Sequence, residues 1–321
     1  MDNVINVIVV PLDGSALAEQ ALQPAYYLAH RLHAAVEIVH VYEPTLKVRY
    51  ASGAPPIDTR FDAELRQAAV AYLDAIFERE VEAADMTVST KLLEGPVVKT
   101  LAAHVAALDR PLVVMTTHGR SGIGRALVGS VAEWLVRSAT VPVLAIRARK
   151  ASEPAIASRF GRVLVPIAGA EFGTHIVERT AGIFGTSEVE YVLFHAVLPV
   201  PILNAADPAI IPSLVDMDAE KKAANDLLAA LSEPLRARGA RVTTLIVIDA
   251  NPASAIRAAA SDTNADVISM ATHGHRGVKR LVLGSVADSV LRHAPVPLLL
   301  VRPSRSAAFT EDQEAEGVAV T

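Results

Sequence analysis

The sequence predicts two consecutive α/β domains, each a doubly wound parallel sheet of five strands, and three observations carry that prediction. The chain has 321 residues, which at roughly 150 residues per domain makes two domains, each long enough to close its own apolar core. It matches itself when slid by 155 residues. Within each copy, short apolar runs rich in β-branched residues alternate with longer stretches of helical periodicity.

In the first copy, strands are expected at 4–11, 36–42, 87–93, 111–116 and 141–147, with helices near 16–32, 59–83, 96–108 and 128–138. Runs such as VINVIVV and LVVM lack polar alternation, as expected of strands covered on both faces. Aromatics are only 4%, so Ala, Val and Leu must fill the core, a composition suited to helices laid on a parallel sheet. Right-handed crossovers then put helices on both sides, giving a Rossmann-like α/β sheet twice over. In such sheets ligands sit beyond the carboxyl ends of the strands, where the winding reverses. The loops after the first and fourth strands are therefore the places to search.

The 155-residue offset aligns Val10-Pro11-Leu12 with Val165-Pro166-Ile167, His40-Val41 with His195-Ala196, and Gly129-Ser130-Val131-Ala132 with Gly284-Ser285-Val286-Ala287. From Thr117 to Arg147 the copies share 15 of 31 residues without a gap. Compositional likeness between Ala-rich segments would not hold one register from first strand to last. The expected domains are residues 1–148 and 161–303, joined by a polar linker at 149–160 that contains Pro154. Residues 304–321 mix small and acidic residues and are expected to be a disordered tail.

With no Cys, disulfide scaffolds, thiolate metal sites and cysteine nucleophiles are excluded. A net charge of -5 argues against broad nucleic-acid binding, which needs a positive field. The first residues, MDNVINVIVVPLDG, carry Asp at the front and no basic segment, so they read as a strand and not as a leader. Nowhere do 18 apolar residues follow one another, so no membrane span is expected and the chain is read as cytoplasmic.

After the first strand comes Pro11-Leu12-Asp13-Gly14-Ser15. Asp13 and Ser15 can cap the following helix. Equally, a carboxylate at the tip of a central strand can accept hydrogen bonds from a base or a ribose. The second copy has Ala168 and Ala170 at these positions, so the two sites cannot be equivalent.

After the fourth strand, Thr116-Thr117-His118-Gly119-Arg120 leads through a glycine-rich loop to Gly129-Ser130, which opens a helix. Glycines let backbone amides approach an anion, and the first turn of a helix favours negative charge. Arg120 and Arg125 add cationic reach, so the segment reads as a phosphate cradle, or else as a mobile loop before an ordinary helix start. It is neither a dinucleotide fingerprint nor a Walker loop, because the glycine positions and the preceding strand are wrong for the first and no Gly-Lys-Ser/Thr occurs for the second.

These residues resemble the universal stress protein family, whose motif is Gly, two residues, Gly, nine residues, then Gly-Ser or Gly-Thr. Gly119 stands nine residues before Gly129-Ser130, and Gly274 nine before Gly284-Ser285. The resemblance covers nearly the whole chain as a tandem member. In the family's ATP-binding branch, the aspartate after strand one and backbone at the end of strand two hold the base and ribose, and the glycine motif holds phosphates. The resemblance thus implies ATP, with or without Mg²⁺, as the ligand. The residues implied in the first copy are Pro11, Asp13, Val41, Thr116, Gly119, Gly129, Ser130 and Val131. Their counterparts in the second copy are Gly274, Gly284, Ser285 and Val286. One departure stands out: the motif's first glycine is Thr116 in copy one and Ala271 in copy two, and either side chain could narrow the ribose-phosphate seat. The resemblance also implies pairing of the two domains through Val141–Arg147 and Val296–Arg302 about a pseudo-twofold axis, an arrangement compatible with further homodimerisation.

Other residues carry less. His275, Arg276, Lys279 and Arg280 make the second nine-residue loop basic, which reads first as a solvated loop. The pairs His118/His273 and His40/His195 lack carboxylates at ligand spacing, so packing or a backbone hydrogen bond is expected and no metal site. Trp134 reads as packing on the helix opened by Ser130. The Pro-containing connections 43–58 and 198–212 are expected to reach the outer wall of the pockets. No catalytic set is legible. The expected function is a stress-response regulator that binds an adenine nucleotide and acts on protein partners the sequence does not identify, with the first site more intact than the second. The alternatives are a slow ATP hydrolase, for which Asp13 is the one obvious acid, and a scaffold that no longer binds nucleotide.

Overall fold

A central strand buried on both faces cannot alternate polar and apolar residues, and that requirement sorts the strands of this chain. Ile8 to Val10 and Leu112 to Val114 are wholly buried, as are Val163 to Val165 and Val267 with Ile268. Edge strands carry polar residues instead, as in VSTKLLE. The structure, a computed structural model, describes residues 5–44, 59–81, 86–117, 129–138, 141–149, 159–199, 217–272 and 283–302. The expected linker lies outside these apart from its ends, and the expected tail lies outside them entirely.

The chain divides into two units, Met1–Arg159 and Phe160–Thr321. The first contains β1 (Val7–Leu12), α1 (Ala16–Glu19), α2 (Leu22–Leu32), β2 (Ala35–Tyr42), α3 (Thr59–Val81), β3 (Val88–Glu94), α4 (Val97–Ala106), β4 (Pro111–Thr116), α5 (Ser130–Ser138) and β5 (Val143–Ile146). Its strands are parallel in the order β3-β2-β1-β4-β5. The second contains β6 (Arg162–Pro166), α6 (Ala170–Phe184), β7 (Glu190–Val197), α7 (Met217–Ala237), β8 (Arg241–Ile248), α8 (Pro252–Asp262), β9 (Val267–Ala271), α9 (Ser285–His293) and β10 (Leu298–Val301). Its order is β8-β7-β6-β9-β10, again parallel. In each unit the winding reverses between the first and fourth strands, which opens a crevice at their carboxyl ends.

The single helix expected over 16–32 is in fact two, α1 and α2. Pro24 has no amide to offer the carbonyl of Gln20, so the chain closes α1 with i to i-3 bonds, Gln20 to Leu17 and Ala21 to Ala18, before α2 begins. Arg179 occupies the same place in the second unit, and α6 runs unbroken from Ala170 to Phe184. One proline accounts for the difference between two otherwise matched elements.

At the far end of the second sheet from the crevice, Glu190 ties three strands together. Its carboxylate accepts from the Arg162 guanidinium at 2.9 and 3.1 Å and from the Thr243 hydroxyl at 3.2 Å. Burial pushes this carboxyl up, but hydrogen bonds from Arg162 and Thr243, with the charges of Arg162 and Arg241, outweigh it and hold the group below the usual carboxylate range. A depressed folded-state pKa contributes stability above the unfolded value, near 4.3, that is lost as the pH falls through the folded value. Glu190→Gln should therefore shrink the acid-induced loss of stability of the second unit between about pH 5 and about pH 3. Because Arg162 is 38% exposed, the change should be about 1 kcal/mol or less, measured by urea unfolding across that range.

Candidate functional site

The crevice of the first unit is built by two turns. In the first, Gly14 takes φ 85°, a left-handed conformation that lets the chain double back after β1. Asp13 Oδ1 then accepts from the Ser15 amide at 3.0 Å and from its hydroxyl at 2.6 Å, while Ser15 Oγ accepts from the Ala18 amide at 3.1 Å. Both readings of this loop hold together: Ser15 caps α1, and Asp13 is oriented by that cap at the edge of the crevice. The second unit has no such arrangement, since α6 begins at Gly169 with no side-chain cap.

In the second turn, the chain returns from the loop after β4 to start α5. The Gly129 amide donates to the Thr117 carbonyl at 2.7 Å, and a Cβ at position 129 would stand 3.3 Å from that oxygen. Gly129 thus serves close approach, and its own amide is engaged and cannot also hold an anion. The first-turn donors that no intrahelical carbonyl serves are the amides of Ser130, Val131 and Ala132, because Glu133 already bonds the Gly129 carbonyl at 2.8 Å. Gly284 repeats the geometry, donating to Thr272 at 3.0 Å.

Between these turns lies a cavity of about 730 Å³ whose lining includes Pro11, Asp13, Val41, Thr116, Gly129 and Val131. Ser130 opens α5, although its side chain lies outside the described residues. Thr116 is 6% exposed and lines a cavity that stays open despite the methyl and hydroxyl it brings. Val41 gains its place from strand alternation. The Tyr42 carbonyl faces β3, accepting from Gly95 at 3.0 Å, so the polar groups of Val41 face the β1 side. There the pairing has already ended at Leu12 and His40. Gly119 and Gly274 lie outside the described residues, together with His118, His273, Arg120, Arg125 and the basic residues of the second loop.

Sequence reasoning missed Tyr72, which α3 delivers to the cavity wall. Its hydroxyl donates to Glu19 Oε1 at 3.1 Å and its ring meets His40 edge-on at 5.7 Å. Burial, then the negative charge of Glu19, with Asp13 adding less, pushes the phenol above its ordinary value, so it stays protonated and a donor. Nothing in the local sequence points Tyr72 at Glu19; only the packing of α3 does. His40 Nδ1 donates to the Leu12 carbonyl at 2.8 Å, and His195 repeats this with Ile167 at 2.8 Å. Among the described residues no three His, Asp or Glu groups gather as a metal would require.

The matching crevice of the second unit holds about 330 Å³ and is lined by Ala168, Gly284, Ser285 and Val286 among others. The beginnings of the two Pro-containing connections reach their crevices through Glu43 and Leu198, and the remainder from 45 and from 200 onward lies outside the described residues.

A family model described as the universal stress protein family matches residues 5–147 and again 159–302. The chain belongs to the universal stress protein family. Over 147 residues it is 28% identical to a universal stress protein of Methanocaldococcus jannaschii, spanning 46% of this chain and 84% of that one. A stretch of 56 residues is 41% identical to putative universal stress proteins of Staphylococcus aureus, spanning 17% of this chain and 34% of theirs. The fold is similar to a universal stress protein crystal structure from Archaeoglobus fulgidus, with TM-score 0.66, 21% identity and 94% and 97% of the two chains covered. A second, from Pseudomonas aeruginosa, has TM-score 0.61, 17% identity and coverage of 95% and 96%. Among the described residues no helix is long and apolar enough to cross a membrane.

The cap gives a direct test of how the first turn is held. Ser15→Ala should lower the stability of the first unit by about 0.5–2 kcal/mol in urea unfolding. Ala170→Ser, at the equivalent place in the second unit, should give no comparable gain, because Ala168 offers nothing to orient the hydroxyl.

Proposed function

We propose that this universal stress protein binds an adenine nucleotide, ATP, in the crevice of its first unit, and that occupancy alters surfaces used by protein partners in a stress response. The observation that carries the reading is the convergence of a half-buried carboxylate, a strand edge and a helix N-terminus on one cavity of about 730 Å³. That volume lies within the roughly 300–1,000 Å³ typical of small-molecule pockets.

The chemistry assigns each group a part. Asp13 Oδ1 accepts twice from Ser15, and a carboxylate so oriented at the crevice edge suits ribose or base donors. The amide and carbonyl of Val41 match the donor and acceptor on an adenine edge. Pro11, Val39 and Leu101 supply an apolar bed for the ring. The amides of Ser130, Val131 and Ala132, at the positive end of α5, suit phosphate oxygens, with the Thr116 hydroxyl beside them. Magnesium would arrive on the triphosphate, since it is held mainly by phosphate oxygens and water in such sites. None of this requires catalytic groups, and binding alone is the proposed activity.

Calorimetric titration of ATP into the full chain, with and without magnesium, should show one ATP per chain. Asp13→Ala should weaken binding roughly 10- to 100-fold, the equivalent of losing charged hydrogen bonds worth about 1.5–3 kcal/mol. Absence of heat under both conditions, or two equal sites, would contradict the proposal. Steady phosphate release abolished by Asp13→Ala would instead make the protein a slow hydrolase.

A further inference from the structure

We propose that the crevice of the second unit is a binding site for a lipophilic small molecule, with a mainly hydrocarbon framework and one or two polar groups, and not for a nucleotide. The inference is independent of what the first unit binds. It comes from setting the two cavities side by side at the 155-residue offset, where most lining positions correspond, while Leu65, Ala68, Ala69 and Tyr72 of α3 line only the first.

Three groups that give the first cavity its polarity are replaced in the second by carbon, while His195 and Thr272 keep the polar side chains of His40 and Thr117. Asp13 becomes Ala168, Thr116 becomes Ala271, and Glu43 at the mouth becomes Leu198. The cavity wall also changes shape: Val39 becomes Phe194, and Phe172 enters the lining. These aromatic rings, with Ile256 and Met270, leave about 330 Å³, at the small end of the range for organic ligands.

One feature argues that this space is kept for an occupant. Leu198 is 57% exposed at the mouth, a large apolar side chain held in water where a charged one stood in the other copy. A ligand that covers Leu198 recovers roughly 25 cal/mol for each Å² of apolar surface removed from water. A triphosphate nucleoside would instead have to bury its ribose hydroxyls against alanine, leaving donors unsatisfied.

The wall keeps polar side chains at His195, Thr272 and Ser285. His195 Nδ1 donates to the Ile167 carbonyl at 2.8 Å, so in the uncharged ring Nε2 is an acceptor. The site therefore favours a lipophile with a hydrogen-bond donor, such as an arylamine or an alcohol.

N-phenyl-1-naphthylamine, uncharged and carrying one N–H, is a suitable probe. Titrated into the full chain, it should show blue-shifted, saturable emission at one site per chain that saturating ATP leaves unchanged. Ala168→Asp and Leu198→Glu, which restore the groups of the first copy at exposed positions, should each weaken it at least tenfold while thermal unfolding stays within a few degrees of the wild type. Absence of saturable binding overturns the proposal. So does displacement by ATP, or binding that neither substitution weakens, because either result puts the probe elsewhere.

Discussion

Each unit turns on one backbone hydrogen bond, from the glycine that precedes the last helix to the carbonyl one residue beyond the fourth strand. At 2.7 Å between Gly129 and Thr117, and 3.0 Å between Gly284 and Thr272, it brings a helix N-terminus against the end of a buried strand. A Cβ at Gly129 would press on that carbonyl at 3.3 Å, and one at Gly284 would just touch it at 3.4 Å. The bond consumes the glycine amide, so the donors left facing the crevice belong to the three residues that follow. The spacing of the family motif therefore reflects two separate needs, approach by glycine and donation by the first helical turn.

Around that shared joint the copies have diverged in chemistry while keeping their frame. The parallel order and the winding reversal are the same, and most lining positions correspond, the α3 wall of the first crevice excepted. The differences include one carboxylate, one hydroxyl, one mouth residue and the ring of Phe194 in place of Val39, and the strand order is the same in both units. Core positions respond to packing; loop positions at the crevice respond to ligands. Duplication supplies a second crevice whose mutations cost the fold little.

Much of the architecture was legible from the chain itself. Strand positions came through because buried parallel strands read as unbroken apolar runs, as Val7–Leu12 and Pro111–Thr116 do. The break between α1 and α2 was missed although Pro24 was in view, since proline in a first turn is compatible with one helix starting late or with two helices meeting. At the candidate site, Asp13 and the Gly129 segment announced themselves by local pattern. Tyr72 and Glu19 did not, because a contact between α3 and α1 spans 53 residues of chain and has no periodic signature.

By itself the sequence determined the duplication, the α/β class and the loops in which ligands would be sought, because repeats, apolar periodicity and glycine spacing are one-dimensional properties. Tertiary structure decided which groups of those loops remain available for binding. Only packing reveals that Tyr72 reaches Glu19 beside the first crevice, that the Gly129 amide is already engaged, and that Phe172 and Phe194 wall the second crevice. Availability depends on partners brought together across the fold, and such partners are absent from any local stretch of the chain.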